Sequence, residues 1–242
     1  MRYVGVIPAR MASKRLPGKV MRMIHGKPLV HHVYERASMA ERLDDLMVAT
    51  DSDEVYGYCK AQGINVLLTS PEHLSGTDRI YEVMQKTEGD VFLNIQGDEP
   101  LVRKEHIYRL IEPFEEGLGF EVSTLKTSIG PEDAQDPNNV KVVTDIYNRA
   151  LYFSRWPIPY NRDKDFTPKY FKHLGFYAYT KDALSRFHHL PPSRLEQWEK
   201  LEQLRFLENG IPICVLDTPF DTVGVDTESD LRRVEDIMSG AL

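Results

Sequence analysis

Short apolar runs alternate with amphipathic stretches along the first two-thirds of the chain. Tyr3 to Ile7, Leu46 to Ala49, Val66 to Leu68 and Val91 to Ile95 are runs of the length and composition of buried strands. Between them, Leu29 to Met39, Glu54 to Gln62 and Asp78 to Gln85 carry apolar residues at three- and four-residue spacing, as helices do. This alternation predicts βαβ units, and so an α/β fold with a mainly parallel sheet and helices on both faces. In such sheets ligands collect beyond the carboxyl ends of the strands. The chemistry is therefore expected just after each strand.

The pattern changes from about Ala150 to Pro192. Aromatic residues cluster there (Tyr152, Phe153, Trp156, Tyr160), with prolines at 157, 159 and 168 and a charged Asn-Arg-Asp-Lys-Asp stretch. A strand over His173 to Tyr179 follows, then a helix over Leu195 to Glu208 stopping at Asn209-Gly210. Ile213 to Leu216 reads as a further strand and Glu228 to Met238 as a closing helix. The expectation is one domain over residues 1–242, with a smaller lobe inserted at about 150–192.

Composition narrows the class. A chain of 242 residues buries roughly 70% of the surface its unfolded form exposes, so stability needs no disulfide or metal staple. Thirty Lys and Arg stand against 37 Asp and Glu, a net charge of -7. That balance disfavours general binding to nucleic acid or an anionic membrane. Cys59 and Cys214 lack metal-ligand spacing and read as reduced, partly buried thiols. No apolar run approaches the ~20 residues of a membrane span. The N-terminal segment enters a strand pattern without a signal-peptide-like apolar stretch, and a cytoplasmic location is expected.

Against that acidic background one loop is basic. Pro8-Ala9-Arg10-Met11-Ala12-Ser13-Lys14-Arg15-Leu16-Pro17-Gly18-Lys19 follows the first strand directly and holds four cations. Backbone amides at a strand end, the Ser13 hydroxyl and the charges of Arg10, Arg15 and Lys19 match what a triphosphate needs. The Walker spacing is absent. A second cluster, Ser75-Gly76-Thr77-Asp78-Arg79, opens a helix; a Ser there can simply cap, while Gly76 permits close backbone approach. A third, Asn94-Ile95-Gln96-Gly97-Asp98-Glu99-Pro100, ends an apolar strand with a carboxylate placed to hold Mg2+ against phosphates. A fourth, Gly224-Val225-Asp226-Thr227-Glu228-Ser229-Asp230, offers a second carboxylate, although Thr227 and Asp226 could also serve only as helix cap and dipole partner.

Together these segments resemble the sugar-activating nucleotidyltransferases, and the fuller pattern resembles the CMP-Kdo synthetases (3-deoxy-manno-octulosonate cytidylyltransferases). Asp136-Pro137-Asn138-Asn139-Val140-Lys141-Val142-Val143, with aspartate replacing the usual first asparagine, resembles a further family segment, as do Ala150 to Arg155 followed by Pro157-Ile158-Pro159, Lys172 to Tyr179, and Leu201 to Arg205 with Glu208-Asn209-Gly210, in the same order along the chain. Glu228 stands where many members have proline.

The resemblance implies a Rossmann-like nucleotidyltransferase fold and an Mg2+-dependent reaction of CTP with Kdo that feeds lipopolysaccharide synthesis. It implies that Arg10, Ser13, Arg15 and Lys19 contact phosphates, with Lys19 catalytic at the α-phosphate. Ser75, Gly76 and Thr77 would border base and ribose, and Asp98 and Asp226 would hold the metal. Gln96, Arg155, His173, Tyr177, Glu202 and Gln203 would contact the sugar acid, Arg155 pairing with its carboxylate. A homodimer formed through the aromatic lobe is likewise implied. Sialic acid or an 8-amino analogue of Kdo remains open as substrate, as does a catalytically silent nucleotide-binding homologue.

Overall fold

The computed structural model describes residues 1–240 except 14, 74, 164, 165 and 167. By their contacts the residues fall into two compact units, Met1–Tyr108 with Thr222–Leu242, and Arg109–Asp221.

The first unit is built on β1 (Tyr3–Ala9), a strand buried on both faces. After it come the two-residue strands β2 (Met23–Ile24) and β3 (Lys27–Pro28), which pair antiparallel, and helix α1 (Leu29–Ala37). Strand β4 (Asp45–Thr50), helix α2 (Asp53–Ala61), strand β5 (Val66–Leu68), helix α3 (Gly76–Lys86) and strand β6 (Val91–Asn94) follow, and helix α4 (Lys104–Glu115) begins in this unit and ends in the second. Strands β6, β1, β4 and β5 lie side by side, all parallel, with Val4 opposite both Asp45 and Phe92. Val4, Val6, Ile7, Val48, Phe92 and Leu93 are fully buried, which is why these strands read as continuous apolar runs. Ser52 and Ser75 start α2 and α3 by accepting hydrogen bonds from Val55 N and Asp78 N.

The second unit contains β7 (Val122–Ile129), β8 (Lys141–Thr144), β9 (Ala150–Ser154), β10 (Tyr170–Thr180), α5 (Lys181–His189), α6 (Arg194–Glu199), α7 (Leu204–Glu208) and β11 (Ile213–Asp217). Here the sheet is mixed. β7 runs parallel to β11 and antiparallel to β10, while β8 pairs antiparallel with β10 and β9. Stacked rings of Tyr177, Tyr179, Phe206 and Phe187 form part of its core. The chain then returns to the first unit with α8 (Glu228–Ser239), capped by Thr227 and Asp230 and ended at Gly240, whose φ is +74°.

The single helix expected over Leu195 to Glu208 is two. Lys200 takes a left-handed conformation (φ 54°) and ends α6. The carbonyls released there are claimed by Arg155, whose Nε donates to Glu199 O at 2.8 Å and whose Nη2 donates to Lys200 O at 3.3 Å. A forked ion pair from Arg205 to Glu196, at 2.8 and 2.5 Å, fastens α7 back onto α6. Helices α4 and α5 and strands β7, β8 and β9 have no counterpart among the expected elements.

Candidate active site

The basic loop leaves the carboxyl end of β1 and is closed by Gly18 N donating to Met11 O at 3.2 Å. Gly18 sits at φ +64°, a region open to glycine at little cost, and begins the short 3₁₀ turn Lys19–Met21. Leu16 anchors the loop in an apolar cluster with Ile24, Leu29, Val225 and Leu231. Pinned at both points, the chain directs the Lys19 side chain, only 14% exposed, into a cavity of about 620 Å³.

The neighbouring strand end delivers Asp98 to the same cavity. Its predecessor must be glycine, because a Cβ on Gly97 would lie 2.5 Å from Pro8 O. Val225 N donates to Asp98 O at 2.9 Å and so brings the segment before α8 alongside. Asp226 N and Thr227 N both donate to Asp230 Oδ2, at 3.1 and 2.8 Å, which holds Asp226 facing inward. Lys19 Nζ then donates to Asp98 Oδ2 and, at 2.9 Å, to Asp226 Oδ1. Arg15 Nη2 reaches Asp226 Oδ2 at 2.7 Å. Burial, the largest influence on the Lys19 ammonium, opposes its charge. Asp98 and Asp226 together outweigh it and hold the pKa above the usual lysine value.

Arg10, Ser13, Arg15, Ser75, Gly76 and Gln96 also line this cavity. Thr77 does not line it; it is buried in the first turn of α3. Lys14 lies outside the described residues. Arg79 was assigned no role from sequence, yet it lines the cavity and is 2% exposed. Its Nη2 donates to Asp51 Oδ2 at 2.7 Å and its Nη1 to Thr69 Oγ1, joining the ends of β4 and β5 to the start of α3. Its position as the last residue of the Ser75–Arg79 motif was the signal available.

The residues expected to meet a sugar acid all belong to the second unit except Gln96. The register of β10 on β7 shifts between Leu174 and Tyr177, and Thr124 satisfies the bulged carbonyls by donating to Phe176 O at 2.7 Å. With its proton so used, the Thr124 hydroxyl accepts from His173 Nε2 at 3.0 Å. Burial first, and then Lys172, lowers the His173 pKa to about 3, so the ring is neutral. The residue keeps some accessible surface.

Burial likewise raises the Tyr177 phenol well above its usual value, with Tyr179 and Glu202 adding to the effect and Thr124 opposing it. Tyr177 Oη and Gln203 Nε2 are buried with no hydrogen bond of normal geometry. Arg155 donates to Pro137 O at 3.0 Å as well as to Glu199 O and Lys200 O. Three carbonyls thus engage all three of its nitrogens, and its guanidinium latches this part of the chain together. Cys59 and Cys214 are free and buried, and burial pushes both thiols up to about 11, so neither is a nucleophile at neutral pH.

A parallel-sheet unit whose strand-end loop gathers cations around two carboxylates matches what a nucleotidyltransferase needs. The sequence profile of the cytidylyltransferase family matches residues 4–213. A 3-deoxy-manno-octulosonate cytidylyltransferase of Koribacter versatilis is 54% identical over 98% of this chain and 90% of its own length. One of Acidobacterium capsulatum is 48% identical over 98% and 97%. The solved structure of a CMP:2-keto-3-deoxy-manno-octonic acid synthetase, complexed with CTP, superposes at a TM-score of 0.95. It is 42% identical, with all of both chains covered. The chain belongs to the 3-deoxy-manno-octulosonate cytidylyltransferase family, and the α/β fold and family resemblance read from its motifs are borne out. Among the described residues no helix is long and apolar enough to cross a membrane.

Proposed function

We propose that the protein transfers the cytidylyl group of CTP to the anomeric hydroxyl of Kdo, releasing pyrophosphate and forming CMP-Kdo for lipopolysaccharide synthesis, with Mg2+ as cofactor. Lys19, Asp98 and Asp226 meeting in a cavity lined by Arg10, Ser13 and Arg15 carries this reading.

In-line attack on the α-phosphorus depends on positioning and charge neutralisation more than on covalent chemistry. Among the described residues no cluster of three or more metal-ligating side chains occurs, but Mg2+ needs only one or two carboxylates beside phosphate oxygens and water. Asp98 and Asp226 fit that requirement, for they already surround one cation, the Lys19 ammonium. Bound there, the ion would polarise phosphate oxygens and lower the pKa of the attacking hydroxyl. Arg10, Arg15 and Lys19 would neutralise the triphosphate, with Lys19 at the α-phosphate. Ser75 and Gly76 would border the nucleoside, on a wall that Arg79 holds rigid. Tyr177 Oη and Gln203 Nε2, each in need of a partner, would hydrogen-bond the sugar hydroxyls beside neutral His173.

Pyrophosphate release, measured with CTP against ATP and with Kdo against its 8-amino analogue, tests the assignment. Comparable kcat/KM for ATP would overturn the cytidylyl reading, and a higher kcat/KM for the analogue would reassign the sugar. We also propose a cytoplasmic homodimer. The exposed Trp156, Tyr160 and Phe166, between 71% and 80% accessible, support an apolar contact surface in the second unit. Trp156→Glu should then yield monomers in sedimentation, and a wild type that is already monomeric would sink the proposal.

A further inference from the structure

We infer that Lys19 is an interlock on the carboxylate pair: it occupies Asp98 and Asp226 until a nucleotide triphosphate draws it away, so that a divalent cation is captured together with the nucleotide and not before. The inference rests on the nucleotidyl-transfer reading of this cavity and specifies the order in which its charges are exchanged.

Three of the four oxygens on the pair are committed to cations. Asp98 Oδ2 and Asp226 Oδ1 accept from the Lys19 ammonium, and Asp226 Oδ2 accepts from Arg15. Two positive side chains therefore balance two negative ones. A divalent ion entering with Lys19 and Arg15 in place would meet occupied ligand oxygens and create a local excess of two positive charges. At Lys19 and Asp98, 14% and 24% exposed, water screens that excess only in part, and it is unfavourable. Removing the lysine alone would be unfavourable too, since it leaves two converging carboxylates to repel each other.

A triphosphate changes both conditions at once. Its oxygens give Lys19 and Arg15 new acceptors, and its charge offsets the arriving ion. Lysine suits the exchange, because its single ammonium rides on a flexible four-carbon stem and can swing between acceptors. The Lys19 backbone need not move: Lys19 N is held to Leu16 O at 3.1 Å and its carbonyl accepts from Arg22 N at 3.0 Å. By reciprocity, whatever factor the nucleotide contributes to metal affinity, the metal contributes to nucleotide affinity.

The decisive measurement is Mn2+ binding to the nucleotide-free protein, followed by the electron paramagnetic resonance of the free ion. Wild type should bind weakly. Lys19→Met should bind about tenfold tighter or more, within the roughly 5–150-fold range of ordinary site coupling. A second variant, Lys19→Gln, should follow Lys19→Met, and thermal unfolding of both should confirm that they are folded. Unchanged or weaker Mn2+ binding in both folded variants would overturn the interlock. Adding Asp98→Asn to Lys19→Met should abolish the gained affinity. If the double variant retains that gain, the ion binds elsewhere and the carboxylate-pair reading of the site fails instead.

Discussion

Around Lys19, in the first unit, the polar groups are charged and paired with one another: both oxygens of Asp226 and one of Asp98 meet a cation. Around His173, in the second unit, the polar groups that burial governs are neutral, with the charges of Lys172 and Glu202 close by. The imidazole is held uncharged and the phenol of Tyr177 protonated, while Tyr177 Oη and Gln203 Nε2 wait without partners. The first arrangement suits a ligand that brings charge and can exchange it ion for ion. The second suits a ligand rich in hydroxyls, which gains by satisfying groups that burial has left orphaned. An unpaired charge buried there would bear a desolvation cost that the charged cavity avoids by pairing.

The sharpest way to break the contrast is to neutralise the carboxylates. Asp98→Asn or Asp226→Asn should lower kcat by about 10²–10³-fold, the scale of losing one preorganised electrostatic group. The fold should survive, since Asp226 is placed by backbone bonds to Asp230 and by the Val225–Asp98 link rather than by its carboxylate. Steady-state pyrophosphate release and a melting curve read both quantities. Activity within about threefold of wild type, roughly 0.65 kcal/mol of barrier, would remove that residue from the essential machinery.

Arg155 is the charged residue of the second unit that was expected to bind the sugar carboxylate. Its three nitrogens instead hold three backbone carbonyls at the end of α6 and the turn at Pro137. Arg155→Ala should therefore cost about 1.5–3 kcal/mol of stability in urea unfolding. Arg155→Lys should recover little, because an ammonium cannot span three divergent acceptors. A raised KM for the sugar acid with an unchanged melting temperature would restore the binding role.

How much of this was legible follows from which residues face inward. Strands β1, β4 and β6 were readable because both faces are apolar and the runs are unbroken. Strand β7 was not, because Ser123, Thr124, Lys126 and Thr127 are all at most 5% exposed and disguise it as a loop. Their polarity is satisfied locally, by Ser123 donating to Leu110 O and Lys126 to Thr144 Oγ1, which no sequence pattern announces. The break at Lys200 depends on carbonyls taken by a residue 45 positions away, again invisible along the chain. At the site, the motifs identified Lys19, Asp98 and Asp226 individually. That the lysine bridges both carboxylates is a property of the folded loop alone.

His173 tests the neutrality of the second region. Its pKa is about 3 when folded and 6.5 when unfolded, so below pH 6.5 the unfolded chain binds the extra proton. The contribution is present in full above pH 6.5 and is lost as pH falls from there towards 3. The loss approaches about 1.4 kcal/mol per pH unit. Between pH 6.5 and 5 the stability of wild type should thus fall by up to roughly 2 kcal/mol more than that of His173→Gln. Parallel urea-unfolding profiles for the two proteins would show that the imidazole charges freely in the folded state.

The smallest effect is expected at Glu228, the first residue of α8. Its carboxylate receives both contacts of Arg22 Nη2, at 2.9 and 2.8 Å, just beyond Asp226. Both partners are more than 40% exposed, and pairs of that kind contribute about 0.2–1 kcal/mol once solvent screening is counted. Glu228→Ala should shift the melting temperature by no more than about 2–4 °C and leave kcat within twofold. Proline is well tolerated at the first position of a helix, so Glu228→Pro should behave like the alanine variant. A large fall in kcat for either, at unchanged stability, would mean that the Arg22 pair aims Asp226. In that case the backbone bonds from Asp226 and Thr227 to Asp230 do not suffice to place it, and the charged region extends one shell further than the cavity itself.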